Sequence, residues 1–347
     1  MTPKGVRADK KHPSRPVTVA DVARRAGVSA MTVSRVVNNS GRVHAATRDR
    51  VELAMRELGY IPNRAARSLV VNKLGVLALV IPDISNPFFP VLARGAEAAA
   101  READYTVILG NTDENFDEEL AYIRAICSLR VDGALVAPCG TRSRPNLELL
   151  NRQGVPLVLI DREVKGVAAD VVRGESRKPA RALTEHLIEH GHTRIGLITG
   201  PADVSTARER AQGYRDALRA AGWKVDAGRV YRTAYTRDAA RGAAEAMLGQ
   251  AERPTAVVTG NNFQAFGVLD AARALGCRVP EDLAVVTFDD VEIVADAPFF
   301  TCAAQPAEAI GRAAVDQLLA RLNGDESPLR TRILHTEVRI RRSCGCR

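Results

Sequence analysis

The sequence predicts an all-α head followed by a two-lobed α/β core with parallel, doubly wound sheets. Three observations predict it. Residues 1–72 hold 14 Lys/Arg against 5 Asp/Glu, a net of +9, whereas the remainder holds 35 against 36, a net of −1. Segment 17–60 carries three helical periodicities punctuated by glycine. From Lys73 onward, short apolar runs alternate with helical patterns, and the alternation starts again in the second half of the chain.

In the head, Thr18 opens "TVADVARRAG", with Asp21 three residues on, a capping-box start. Gly27 ends this first helix. Ser29 caps a second helix running to about Asn38, and a third runs from about Ala46 to Leu58, closed by Gly59. Helix, glycine turn, helix and a packed third helix make the helix-turn-helix plan, whose second helix enters the DNA major groove. On that helix Val33, Val36 and Val37 face inward, while Ala30, Met31, Ser34 and Arg35 face outward. Arg35 offers a bidentate donor pair for guanine, and Ala30 and Met31 can meet thymine methyls. Ser29, Thr32, Ser34 and Asn38 suit phosphate oxygens. A solvated basic tail accounts for Lys4 to Arg15, but not for nine basic residues spread through the patterned segment 24–67.

In the core, "KLGVLALVIP", "YTVILGNT", "VDGALVAPC" and "VPLVLIDR" read as buried strands, separated by helical stretches. "RIGLITG", "RVYRTAY", "TAVVTG" and "LAVVTFDD" repeat the scheme, followed by "PFFTCAAQ", a last helix and a closing strand "TRILHTEVRIR". Ligands of such sheets sit beyond the C-terminal strand ends. The polar residues there are Asp161 and Arg162, Arg208 and Arg210 after "ITGPADVSTA", Asn261 and Asn262, Asp289 and Asp290, and Gln305. Together they suit hydroxyl groups, and an extra arginine near Arg210 would suit a carboxylate or phosphate.

Other classes are disfavoured. No run of about 18 apolar residues is present, and the basic N-terminus lacks an apolar signal segment. Six scattered cysteines point to reduced thiols in cytoplasm. Phosphate-loop, nucleophile-elbow and dinucleotide motifs are missing, so neither an enzyme nor a cofactor is expected. In "HLIEHGH", His186 and His190 have a spacing a metal could use, but the pattern reads better as a helix C-terminus closed by Gly191. Cys344 and Cys346 read as a disordered tail, since two thiols alone cannot fill a zinc shell; no metal site is expected.

The string "TVADVARRAGVSAMTVSRVVN…VELAMRELGYIPNRAARSL" resembles the head of the lactose/galactose repressor (LacI) family over residues 17–69, and the likeness continues more loosely to the C-terminus. Residues 1–16 read as a basic disordered arm, and the resemblance implies a DNA-binding domain over 17–62 and a hinge helix over 63–72. It implies a periplasmic-binding-protein-like core over 73–343, with a first lobe of 73–163 and 301–325 and a second of 166–298 and 327–342. Ala30, Met31 and Arg35 then fall on base-reading positions, and Arg42 is placed for backbone or base. Asn63 and Arg67 fall in the hinge helix, with Leu69 as a minor-groove wedge. Arg210, Asn261, Asp289 and Gln305 fall on effector positions, Phe88 and Phe89 on first-lobe cleft positions, and Tyr235 on an aromatic cover. Asn262 departs from the family's usual Asp, and "PFFTCAAQ" from its usual crossover. The implied function is a repressor binding a pseudo-palindromic double-stranded operator as a homodimer under a sugar or sugar-acid effector. A sugar-binding protein or sugar-acting enzyme with an incidental basic arm, and a nonspecific DNA-packaging protein, are the competing classes; neither uses both the patterned head and the cleft.

Overall fold

The computed structural model describes residues 15–38, 40–61, 73–290 and 299–346. The hinge residues Asn63, Arg67 and Leu69 lie outside the described residues, as does most of the basic arm. The chain divides into two units, 1–74 and 75–347, each taken by itself below.

The first unit holds α1 (Val19–Ala26), α2 (Ala30–Val37) and α3 (Ala45–Leu58). Thr18 and Asp21 satisfy each other's backbone amides: Asp21 N donates to Thr18 Oγ1 at 3.4 Å, and Thr18 N to the Asp21 carboxylate at 3.0 Å. Gly27 ends α1 at φ 64°, a left-handed conformation that a side chain would strain. Ser29 Oγ accepts from Thr32 N at 3.2 Å and starts α2. The three helices share a core in which Val22, Val33 and Val51 are fully buried.

The second unit has two six-stranded sheets. The first sheet contains β1 (Val76–Ile81), β2 (Thr106–Asn111), β3 (Gly133–Val136), β4 (Leu157–Ile160), β5 (Asp170–Gly174) and β11 (Thr331–Leu334), in the order β11-β5-β4-β3-β1-β2, all parallel. The second contains β6 (Ile195–Thr199), β7 (Val230–Arg232), β8 (Ala256–Thr259), β9 (Ala284–Phe288), β10 (Thr301–Ala304) and β12 (Glu337–Arg339), in the order β12-β10-β9-β8-β6-β7. Among the described residues of this sheet, only the β10–β12 pair is antiparallel.

Both faces of the inner strands are covered, so β1, β3, β4, β6, β8 and β9 read as largely apolar runs, whereas the edge strands β2, β7, β11 and β12 are partly or largely exposed. In the first lobe Leu77, Leu79 and Ile81 pack against α4 (Phe88–Glu102) and α11 (Ala307–Leu322), while Ala78 and Val80 pack against α5 (Phe116–Leu129) and α6 (Arg144–Arg152). Gly95 and Gly311 let α4 and α11 approach until a Cβ at either would collide with the other's backbone. In the second lobe α7 (Arg177–Glu189) and α8 (Ser205–Ala220) cover one face, and α9 (Arg237–Leu248) and α10 (Asn262–Ala274) the other.

The lobe boundaries differ from the sequence expectation at three places. β5 belongs to the first sheet, although 166–298 was assigned to the second lobe. β10 belongs to the second sheet, although 301–325 was assigned to the first, so residues 299–305 do not cross back. The closing strand "TRILHTEVRIR" is two strands, β11 in the first sheet and β12 in the second. The physical reason is the same throughout: each lobe adds one more short strand to its own sheet before the chain leaves. The chain therefore passes between the sheets at 175–176, 305–306 and 335–336. Asp170, 1% exposed, anchors β5 through Arg321 at 2.7 and 3.0 Å. At the crossings, Glu175 O accepts from Thr336 Oγ1 at 3.0 Å, and its carboxylate lies 2.9 Å from His335 Nδ1.

Candidate nucleic-acid interface and effector cleft

In the head, α2 presents Ser29, Ala30, Met31 and Arg35 to solvent, with Met31 63% exposed, while Val33 and Val36 are buried. Thr32, Ser34 and Asn38 are half-buried, and Arg42 is exposed in the following loop. Asn38 Nδ2 donates to Ser34 Oγ at 3.2 Å, and Ser29 and Thr32 hydroxyls lie 2.9 Å apart, so part of the polar rim is ordered by its own hydrogen bonds. An exposed methionine beside an exposed arginine, on a helix whose other face buries Val33 and Val36, leaves both side chains able to reach base edges.

In the core, the strand ends of the two lobes enclose a cavity of about 330 Å³. Of the residues singled out in the sequence, Phe88, Phe89, Asp161, Arg162, Arg210, Tyr235, Asn261, Asp289 and Gln305 all line it. Asp161 and Asp289 terminate β4 and β9 in the left-handed region, at φ 59° and 67°. Phe88 and Phe89 begin α4, their rings meeting edge to face at 5.1 Å. Asn261 caps α10, its Oδ1 accepting from Gln264 N at 2.9 Å.

The charges are arranged in a chain. The Arg210 guanidinium lies 4.0 Å over the Phe288 ring and donates to Gly260 O. Burial pushes the Asp289 carboxyl up to about 6, with Arg210 acting in the opposite direction; Gln305 Nε2 donates to it at 2.8 Å. Burial likewise raises Asp161, against the pull of Arg162. Arg162 is occupied by a bidentate pair with Glu114 at 2.6 and 2.7 Å; burial opposes its charge, but Glu114 outweighs burial and holds it protonated.

Arg208 does not join this cleft. Its guanidinium donates to Asp203 O at 2.9 Å and to Ala202 O at 3.3 Å, and it lines a separate groove with Arg173 and Glu175. Two positions apart on a helix means about 200° around its axis, so Arg208 and Arg210 cannot both face the ligand. Asp290 also turns away, pairing with Arg339 at 2.8 Å and Arg341 at 2.7 Å. Asn86, Glu114 and Thr206 line the cavity and were not singled out in the sequence. Glu114 lies in a loop at φ 57°, and no periodic signal marks it.

Comparison with known proteins agrees with this geometry. Residues 18–63 match the family described as bacterial regulatory proteins, lacI family, and residues 184–344 match the periplasmic binding protein-like domain. The ribose operon repressor of Escherichia coli K12 is 36% identical over 307 residues, covering 88% of this chain and 93% of its own. The transcriptional repressor PurR of Photobacterium profundum is 32% identical, covering 94% and 98%. The structure of the Lac repressor dimer bound to operator and the anti-inducer ONPF superposes with a TM-score of 0.82 at 26% identity, covering 95% and 99%. The chain belongs to the LacI family of bacterial regulatory proteins, and is a transcriptional regulator with a DNA-binding head and an effector-binding core.

Proposed function

We propose that the chain represses transcription as a homodimer on a pseudo-palindromic operator, and that a neutral polyhydroxylated ligand of monosaccharide size in the cleft releases it. One observation carries the ligand reading. Asp161 Oδ1, Arg210 Nε and Gln305 Oε1, all in residues lining the cavity, are buried without a hydrogen-bond partner in the protein. Buried polar groups need partners, and sugar hydroxyls both donate and accept. Phe88 and Tyr235 supply apolar faces for ring C–H groups.

The charge balance narrows the class. The lining holds five carboxylates, Asp83, Asp113, Glu114, Asp161 and Asp289, against the two guanidiniums of Arg162 and Arg210. With Arg208 outside and Arg162 bound to Glu114, a sugar acid or sugar phosphate meets net repulsion. A neutral sugar is favoured, in keeping with the relationship to a ribose operon repressor.

The lobes touch at several points: Glu163 N donates to Ser205 Oγ at 3.0 Å, Thr141 N to Asp203 O at 3.2 Å, and Arg173 meets Glu209 at 3.0 Å. A ligand acts on the interlobe angle through its different affinity for the joined and parted arrangements, and the first lobes carry that change to the DNA-binding heads. The test is a thermal-shift and calorimetric screen of the full chain against neutral pentoses and hexoses, sugar acids, sugar phosphates and purine bases. A neutral sugar should bind and weaken operator binding. Binding confined to an anionic ligand or a purine contradicts the ligand class.

A further inference from the structure

The histidines of "HLIEHGH" and the terminal "CGC" read separately in the sequence, as a helix end and a loose tail. The structure joins them. The tail is ordered through Cys346: Ser343 Oγ donates to Val285 O at 2.5 Å and accepts from Thr301 N at 2.8 Å, and Cys344 is 3% exposed. This anchoring returns Cys346 to helix α7, with its Sγ 3.2 Å from His186 Nε2. The His186 and His190 rings, one turn apart, have centroids 4.3 Å apart. One ligand atom from each of His186, His190 and Cys346 lies within 4.8 Å of the other two.

We propose that His186, His190 and Cys346 bind Zn²⁺, or a similarly thiophilic divalent cation, which clamps the C-terminal segment to α7 of the second lobe. One thiolate and two imidazoles match a borderline-soft ion and not the oxygen-seeking Mg²⁺ or Ca²⁺. Sulfur and nitrogen ligands of tetrahedral zinc sit about 3.5 Å apart, so the His186–Cys346 pair needs to open by only a few tenths of an ångström. His190 Nδ1 lies 2.7 Å from His186 O, which fixes that ring and leaves Nε2 as its free nitrogen, the usual device for orienting a ligating histidine. A thiol ligates as the thiolate, so metal binding displaces the Cys346 proton and tightens as pH rises. Three protein ligands leave one position for water.

The experiment uses full-length protein, reduced and stripped by chelator, titrated with Co²⁺. The expected result is a saturable sulfur-to-cobalt charge-transfer band with intense visible d–d bands at one equivalent per chain. Zn²⁺ should bleach both and raise the thermal midpoint. Cys346→Ser should lose the charge-transfer band, and His190→Gln should weaken Co²⁺ binding by roughly ten-fold or more. Absence of a saturable band, or a charge-transfer band that survives Cys346→Ser, overturns the proposal and leaves a plain thiol–imidazole hydrogen bond.

Discussion

Asn262 of the second lobe donates to Asn86 of the first across the cleft, Nδ2 to Oδ1 at 3.1 Å, and both side chains are buried. The same Asn86 oxygen accepts from Phe88 N at 3.1 Å. One interlobe bond thus fixes the start of α4, where Phe88 forms a wall of the ligand cavity. Asn262→Ala leaves Asn86 Oδ1 its backbone partner, so the loss is that of one net hydrogen bond, about 1 kcal/mol. Effector affinity should fall roughly five-fold. An unaltered effector Kd in calorimetry would detach this bond from ligand binding.

Arg35 stands exposed on the outward face of α2. Arg35→Ala should cost about 1–3 kcal/mol at one base pair of each half-site and flatten discrimination there. Competition between matched and singly substituted duplexes, at fixed salt, measures it. A variant with the full preference intact would remove Arg35 from base reading.

Asp289 should make the effector response depend on pH. Its folded pKa, about 6, lies above the ordinary carboxylate value of about 3.9. Between the two, the folded chain holds a proton that the unfolded chain has lost, so Asp289's contribution to stability declines as pH rises through that window. Ligand binding runs the other way, because the ionised carboxylate accepts a hydroxyl's hydrogen bond more strongly than the neutral acid does. Effector affinity should weaken as pH falls below about 6, and Asp289→Asn should flatten the profile. Titrations across this range that show no step in the unmodified protein would count against Asp289 as a ligand contact.

Thr18→Ala breaks the reciprocal cap on α1. The expected loss is about 1 kcal/mol of head stability, within the range for such caps. Thermal melting followed by circular dichroism should show the head transition moving down and the core transition unchanged. Equal melting of the head would mean that α1 is held by packing alone.

The head was legible in the sequence because its caps are local: Thr18 with Asp21, and Gly27 and Gly59, mark helix ends within a few residues. Most of the cleft was legible because parallel strands deliver their C-terminal residues to one edge, which brings Asp161, Asn261 and Asp289 together. What was not legible depends on long-range pairing. β5 and β10 are five and four residues long, and nothing local tells such a strand which of two similar sheets it joins. Arg208 was placed in the cleft by proximity in sequence, and helical rotation removed it. Glu114 and Asn86 are loop residues whose roles arise from partners in the fold, 48 and 176 residues distant. Cys346 met α7 only because Ser343 and Cys344 are buried beneath β9 and β10.

The most direct measurement is equilibrium binding of the full-length protein, at physiological ionic strength, to a duplex chosen by selection and to a scrambled one, each with and without a neutral sugar that shifts its melting. The chosen duplex should be held at least about 10³-fold more tightly, and the sugar should erode that margin. Equal grip on both duplexes, or a margin indifferent to every bound ligand, would contradict a head that reads sequence under the control of the cleft.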